Sequence, residues 1–224
     1  MNDLPSHPDL RIVSQDVAFR RHLRLDVVRY RNRLYSGEWS GERVYDVLRR
    51  GGAVAIILYD PDRDEVVLVE QFRLPPLIAG FSPWITEVVA GLVDKEGESN
   101  EDVARRESVE EAGAEVIGEL IPIQPYLPTP GNSDETVMLF CGRVDSSGAG
   151  GIHGLAEENE DIRVVVRTLA ELETMVEAGQ IETGHTLICL YWLFRHREEL
   201  RRRWGVVQRS GTFLKCFDSA SPCF

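Results

Sequence analysis

The feature that most constrains this fold is a pair of apolar segments separated by a short polar loop. Residues 53–59 read AVAIILY, residues 65–71 read EVVLVEQ, and the loop between them reads DPDRD. Runs of aliphatic residues of this length, bounded by a turn rich in Asp and Pro, are typical of paired β-strands. We therefore predict a β-hairpin here, and the rest of the fold has to be built around it.

A smaller sheet is predicted ahead of this hairpin. Residues 11–19 alternate weakly, residues 23–30 suggest a strand with one bulge, and residues 44–48 continue in extended form. The Gly51–Gly52 pair then separates this segment from the hairpin. The expected division is an N-terminal β subdomain over 1–48, a main domain over 49–204 and a loosely held C-terminal tail over 205–224.

The segments after the hairpin mix strands and helices. Residues 74–83 hold three prolines and are expected to form a loop, and residues 84–90 are predicted to be one strand that ends at Gly91. Further strands are predicted over 115–123, 136–144 and 161–166. Helices are predicted over 99–112, 169–178 and 183–203. Because these elements do not follow a strict βαβ order, the pattern favours an α+β fold or a layered α/β/α fold.

Two predicted helices carry recognisable ends. Ser99 with Asp102, and Thr168 with Glu171, have the three-residue spacing of a capping box, and Gly113 has the position of a C-terminal cap. These signals fix the bounds of the helices more firmly than the apolar pattern does.

Composition excludes several classes of protein. The 224 residues include 25 Lys and Arg against 37 Asp and Glu, a net charge of −12, which leaves no basic footprint for nucleic acid. No segment approaches the roughly 18 apolar residues of a membrane span, and the polar N-terminus does not resemble a signal peptide. The four cysteines form no C-x-x-C pair, as is typical of reduced thiols. We therefore expect a cytoplasmic protein that binds neither nucleic acid nor a membrane.

Three glutamates are predicted to converge on one side of helix 99–112. Glu107, Glu110 and Glu111 stand at i, i+3 and i+4 and fall within an arc of about 100°. Like charges at these spacings destabilise a helix by about 0.2–0.5 kcal/mol per pair, so a cation is expected to offset them. Mg²⁺, which prefers carboxylates together with substrate phosphates, would do so. A solvated acidic face is the alternative, and the glutamates alone favour it.

The wider pattern resembles the Nudix box, G-x5-E-x7-R-E-U-x-E-E-x-G-U, in which U is apolar. Its fixed positions are occupied by Gly91, Glu98, Arg106, Glu107, Glu110, Glu111 and Gly113. Two departures stand out: six residues instead of five separate Gly91 from Glu98, and the U positions hold Ser108 and the small Ala114. The extra residue lies in the loop ahead of the helix, where insertions are tolerated best.

Segments outside the box resemble the ADP-ribose pyrophosphatase branch of the Nudix family: VEQFR at 69–73, WITEVVAG at 84–91, Pro130, and GIHGLAEENEDI at 151–162. The resemblance implies a Nudix fold, an α/β/α sandwich with a mixed sheet, plus a small N-terminal antiparallel sheet. It also implies Mg²⁺-dependent hydrolysis of ADP-ribose to AMP and ribose 5-phosphate, with Mn²⁺ as a substitute, and a homodimer formed through the N-terminal sheets. Another nucleoside diphosphate sugar as substrate, or a catalytically silent binding module, stay open as alternatives.

The resemblance further assigns roles to individual residues. Expected metal ligands are the Ala90 carbonyl, Glu107, Glu110, Glu111 and Glu160. Expected catalytic residues are Glu111 and Glu158, the latter as general base. Expected substrate-binding residues are Arg50, Arg73, Glu87, Leu92 and Pro130. The alternatives are ordinary surface arginines, a solvent-facing Glu87 and a solvated acidic loop around Glu158. His153 and His185 lie far apart in the sequence and suggest no ligand set.

Overall fold

The computed structural model describes residues 4–206. The first three strands form a sheet of their own. They are β1 (Leu10–Arg20), β2 (Arg24–Asn32) and β3 (Arg43–Arg49), which pair antiparallel in this order. The predicted N-terminal antiparallel sheet is therefore confirmed. Of the predicted C-terminal tail, residues 207–224 lie outside the described part of the chain.

A buried carboxylate holds the N-terminal sheet together. Asp26 on β2 has no exposed surface and accepts hydrogen bonds from Arg24 (Nε to Oδ1, 2.6 Å), Gln15 (2.6 Å) and Arg49 (3.2 Å). These donors come from all three strands, so one side chain links the whole sheet. Arg49 also donates to Asp134 at 2.5 Å, which joins this sheet to the loop that follows residue 126.

The remaining eight strands form one mixed sheet. They are β4 (Gly52–Asp60), β5 (Glu65–Phe72), β6 (Trp84–Glu87), β7 (Val89–Leu92), β8 (Ile117–Tyr126), β9 (Thr136–Arg143), β10 (Ile152–His153) and β11 (Ile162–Thr168). The order is β10-β11-β5-β4-β9-β8, and only β4 and β9 run parallel among the described strands. The predicted hairpin is confirmed as β4 and β5.

The segment 84–92 corrects one prediction, because it forms two strands instead of one. β4 and β5 pair with each other only near their turn, from Leu58 and Val67 to the loop. Beyond that point they diverge, and the segment fills the gap: β6 pairs with β5 and β7 pairs with β4. The break falls at Val88, whose N–H donates to Thr186 Oγ1 at 3.1 Å. A change of partner strand is invisible in the local apolar pattern.

Residues 4–206 also contain four α-helices: α1 (Leu74–Ile78), α2 (Asn100–Ala112), α3 (Leu169–Glu177) and α4 (Gly184–Arg203). The short α1 lies where a loop was expected, because prolines are compatible with the first turn of a helix. Both predicted capping boxes are present, and Gly113 closes α2 in the left-handed region at φ 59°. Within the described part of the chain, no helix is both long and apolar enough to cross a bilayer.

The core has two layers, one on each face of the mixed sheet. On one face, Ile57 and Leu68 pack in a cluster with Leu172 of α3 and Leu190 of α4. On the other face, β4 and β5 pack against α2 in a cluster that includes Val54, Ile56, Leu58, Val103 and Ala104. Alternate residues of β4 therefore serve opposite layers, and the predicted α/β/α sandwich is confirmed.

Replacing Asp26 by Asn is expected to destabilise the protein by roughly 1–3 kcal/mol at pH 7, because charged hydrogen bonds are lost in a buried place. Burial raises the pKa of Asp26, but the hydrogen bonds from Arg24 and Gln15 outweigh it, so the pKa lies below its usual range. A lowered pKa gives stability that is present above the ordinary pKa and is lost as pH falls through the lowered value.

The check is urea denaturation, followed by circular dichroism, between pH 7 and pH 3. The difference between wild type and Asp26→Asn should shrink toward acid pH. Asp16→Asn, at an exposed position on β1, is the control and should leave stability nearly unchanged. A loss that is equally large at pH 3 would contradict the ionic role of Asp26.

Candidate active site

One cavity of about 540 Å³ opens between α2, the β6–β7 segment and the start of α4. Most of the sequence-predicted site residues meet on its wall. These are Arg50, Arg73, Glu87, Ala90, Leu92, Glu107, Glu110, Glu111 and Glu160. Residues more than a hundred positions apart are thus gathered around a space that falls within the usual size of small-molecule sites, about 300–1,000 Å³.

The most deeply placed carboxylate of α2 is Glu111. Its side chain is only 4% exposed, and its Oε2 accepts a hydrogen bond from the Ala90 N–H at 3.2 Å. Burial above all, together with the neighbouring charges of Glu107 and Glu160, raises its pKa to about 8, although the Ala90 hydrogen bond and Arg73 oppose the shift. A cation that came close to this carboxyl group would strongly stabilise its ionised form.

The second carboxylate, Glu107, explains the first glycine of the box. A Cβ at Gly91 would overlap the carboxyl group of Glu107, so only glycine lets β7 pass this close to α2. Burial also raises the pKa of Glu107, against the opposing charge of Arg106. Ala90 belongs to the same short strand and lines the cavity, as Glu107 and Glu111 do.

Arg106 is the ionic centre of the box. Its guanidinium donates to Glu98 (3.0 Å), Glu107 (2.7 Å) and Glu110 (2.8 Å). Glu98 therefore reaches its partner in spite of the extra residue between it and Gly91. The longer loop also brings Lys95 to the cavity wall.

The segment around β10 packs against the C-terminal end of α2. The Gly154 N–H donates to the Glu110 carbonyl at 3.1 Å, and the ring of His153 lies over Gly113, where a Cβ would come within 2.5 Å of Cε1. Glu160 lines the cavity, while its Oε2 accepts a hydrogen bond from the Leu155 N–H at 2.9 Å. His153 thus has a docking role that its sequence context did not reveal.

Glu158 closes the 3₁₀ turn Ala156–Glu158 between β10 and β11. Its side chain is outside the described part of the structure, so its role as a general base stays a prediction. Among the described side chains, which do not include that of Glu158, no three carboxylate, imidazole or thiolate groups form a preassembled metal cage. The reason is visible in the contacts: Glu107 and Glu110 turn toward Arg106, and Glu160 turns toward the backbone of its own loop.

Two further arginines of the cavity wall, Arg73 and Arg50, pair with carboxylates outside α2. Arg73 pairs with Glu87 through Nε and Nη2, each 2.8 Å from Oε1, and His185 Nε2 lies 3.4 Å from Glu87 Oε2. Arg50 pairs more loosely with Glu135 at 3.4 Å. Pro130 is not among the residues that line the cavity, where Pro128 is found instead.

The position of Pro130 follows from the docking of its loop. The Leu48 N–H donates to the Asn132 carbonyl at 2.8 Å, and Tyr45 donates to the carbonyl of Gly131. The tip of the loop is therefore turned toward β3. Sequence reasoning also missed several lining residues: Gln71, Lys95, Tyr126, Glu135, Thr183 and His185. Gln71 lies in the VEQFR segment and Lys95 within the box, whereas nothing local marks the other four.

A layered fold whose capped helix presents box carboxylates to a cavity is that of a Nudix protein. The chain belongs to the Nudix family, since the family's NUDIX domain model matches residues 49–187.

Relatives share most of the chain. It is 41% identical over 197 residues to the ADP-ribose pyrophosphatase of Escherichia coli strain K12, with 88% of this chain and 93% of that protein covered. It is 40% identical over 203 residues to the ADP-ribose pyrophosphatase of Haemophilus influenzae, with 89% and 92% covered. A GDP-mannose pyrophosphatase of Citrobacter koseri is 33% identical over 151 residues, with 67% and 75% covered.

A solved structure confirms the architecture. The crystal structure of an ADP compounds hydrolase matches with a TM-score of 0.65 at 20% identity, covering 91% of this chain and 100% of that chain. At this level of identity the likeness shows a common fold.

Without metal, Glu111→Gln is expected to stabilise the protein at alkaline pH. The raised pKa of Glu111 means that its contribution to stability is complete below about pH 4.5 and is lost as pH rises through about 8. The variant removes this loss, so in EDTA it should melt above the wild type at pH 8.5 and close to it at pH 5. Glu173→Gln, at an exposed position on α3, should match the wild type at both values. Equal melting temperatures of Glu111→Gln and wild type at pH 8.5 would refute this prediction.

Proposed function

We propose that this protein hydrolyses the diphosphate bond of ADP-ribose and releases AMP and ribose 5-phosphate. The observation that carries the proposal is that the buried Glu111 and the half-buried Glu107 line one cavity together with Arg73. The two ADP-ribose pyrophosphatases, which are about 40% identical over nearly their whole length, support the choice of substrate.

Mg²⁺ fits the donor set of this wall, and Mn²⁺ would serve as a substitute. The ligands would be carboxylate oxygens of Glu107 and Glu111 and the Ala90 carbonyl, with Glu110 and Glu160 as further donors. The raised pKa values of Glu107 and Glu111 support a cation here, because burial disfavours the ionised form of both carboxylates, even though Glu107 also pairs with Arg106. Bound Mg²⁺ would neutralise the diphosphate and lower the pKa of a coordinated water.

The protein's own side chains supply the rest of the chemistry. The guanidinium of Arg73, and that of Arg50 at the rim, bind anionic phosphate oxygens, for which a planar fork of donors is suited. Leu92 contacts the ribose, and Pro130 shapes the entrance from the neighbouring loop. Glu158 accepts the proton of the attacking water from the loop that rests on α2. This division places the cationic groups where the substrate carries negative charge.

The assembly and location follow the same reasoning. We propose a homodimer that joins through the N-terminal sheet, on which Val13, Val17, Phe19 and Val44 are exposed apolar side chains. We also propose that the chain divides into a subdomain over 1–48, a catalytic domain over 49–204 and a tail over 205–224. The proposed location is the cytoplasm.

The second candidate is hydrolysis of another nucleoside diphosphate sugar, and the similarity to a GDP-mannose pyrophosphatase favours it. A substrate panel separates the two. With Mg²⁺ present, ADP-ribose is expected to have the highest kcat/KM, with AMP as product, and GDP-mannose a value at least about tenfold lower. Glu111→Gln should abolish most of this turnover while the fold is retained. Preference for GDP-mannose would replace the first proposal by the second, and binding of ADP-ribose with no metal-dependent turnover would indicate a silent module.

The two loop glutamates should respond differently to substitution. Glu158→Gln is expected to lower kcat by roughly 10²–10⁴-fold with little change of KM, because a general base acts in the transition state. Glu160→Gln should instead raise the Mg²⁺ concentration needed for half-maximal activity. Titration of both variants with Mg²⁺ beside the wild type is the measurement. A shifted midpoint for Glu158→Gln alone would mean that the two roles are exchanged.

A further inference from the structure

Glu87 is a buried carboxylate in the wall of the cavity. It ends β6, is only 3% exposed, and lines the cavity together with the α2 glutamates. Burial raises its pKa, but His185 and the charge of Arg73 outweigh this and bring the pKa below its usual range. Glu87 is therefore ionised at neutral pH, and its charge needs partners in place.

Both oxygens of Glu87 are already covered. Oε1 accepts a hydrogen bond from Nε of Arg73 at 2.8 Å, and Nη2 of the same ion pair lies 2.8 Å from this oxygen. Oε2 faces His185 Nε2 at 3.4 Å, and this nitrogen is buried with no aligned hydrogen-bond partner in residues 4–206. A sugar hydroxyl that approached Glu87 would have to displace one of these groups. This geometry suits a carboxylate that holds the side chains of Arg73 and His185 in position.

Glu87 is held in position by hydrogen bonds at the junction between β6 and β7. The Val88 N–H, which follows Glu87, donates to Thr186 Oγ1 at 3.1 Å, and Thr183 and Thr186 share a hydrogen bond of 2.6 Å. These threonines flank His185 at the start of α4. The end of β6 and the start of α4 are thus fixed together, which sets the position of Glu87.

Arg73 interacts with two carboxylates of the cavity. Besides its bond to Glu87, its charge acts on Glu111 and opposes the raised pKa of that group. Without Glu87, the guanidinium would be drawn toward Glu111, into the space where a cation and a diphosphate would have to fit. The charges of Glu87 and Glu111 therefore both influence where the guanidinium rests.

We propose that Glu87 is a positioning residue that holds the Arg73 guanidinium on the cavity wall for a diphosphate group, with His185 covering its second oxygen, and that it does not bind a sugar hydroxyl. The inference rests on the proposed function only in that the site receives a diphosphate. Glu87 acts through Arg73, whose remaining N–H groups are the ones that meet the phosphate oxygens.

The test is the binding of inorganic pyrophosphate in the presence of Mg²⁺, measured by calorimetry. Pyrophosphate has no hydroxyl group of a sugar, and its binding does not depend on whether ADP-ribose is the substrate. Glu87→Gln should weaken it roughly tenfold, the size of one lost charged interaction. Unchanged pyrophosphate binding, together with a raised KM for ADP-ribose, would overturn the proposal and make Glu87 a sugar ligand.

A double-mutant cycle decides whether Glu87 acts through Arg73. Arg73→Ala alone should weaken pyrophosphate binding, and adding Glu87→Gln to it should change binding by less than about twofold. If the double variant lost pyrophosphate affinity by the product of the two single-variant factors, Glu87 would not act through Arg73. Glu70→Gln is the matched control, because Glu70 also lies on a strand of this sheet and pairs with an arginine, Arg163, away from the cavity.

His185→Ala gives a second test that does not depend on the folding of Glu87→Gln. It leaves the charge of Glu87 and removes only the cover of Oε2, so binding of pyrophosphate should weaken by about threefold, and this loss should vanish in the Arg73→Ala background. An equal loss in both backgrounds would contradict the proposal. If the wild type binds pyrophosphate and the cycle behaves as expected but ADP-ribose is not hydrolysed, the proposed substrate fails and the role of Glu87 stands.

Discussion

The site depends on how closely α2 approaches β7. Gly91 has no Cβ to keep the Glu107 carboxyl group away, and the Ala90 N–H meets Glu111 from the same strand. The buried Glu111 and the half-buried Glu107 thereby line the same cavity, an arrangement that costs free energy unless positive charge compensates it. The Ser99 capping box at one end of α2 and the His153 contact at Gly113 at the other fix the helix in this place.

The floor of the cavity is a consequence of strand divergence. Because β4 and β5 separate after Leu58 and Val67, one segment can enter between them and change partner at Val88. This brings Glu87 of β6 and Ala90 of β7 to the same cavity, three residues apart, with opposite tasks. Glu87 holds a cationic side chain, whereas Ala90 offers its backbone to the acidic helix.

The sequence predicts those parts that are governed by local chemistry. The capping residues, Gly113, the β4–β5 hairpin and the glutamates of α2 follow from spacing alone, and the structure has each of them in the expected place. The split at Val88 and the docking of His153 on Gly113 could not be foreseen, because each depends on a partner distant in the chain. The short helix α1 is a different case, since Pro75 in its first turn is equally typical of a loop. Pro130 illustrates the same limit, since the docking of its loop against β3 decides which prolines reach the cavity.

The charges of the box also indicate which carboxylate a cation would serve best. Arg106 lies within 3 Å of oxygens of both Glu107 and Glu110, so these two share one guanidinium. Glu111 has no ion pair within residues 4–206; the Ala90 N–H and the more distant charge of Arg73 are what oppose its burial. Its pKa is accordingly raised to about 8. A divalent cation that enters the site would therefore be stabilised most by Glu111. Glu107 and Glu110 could bind the cation only by giving up part of their interaction with Arg106.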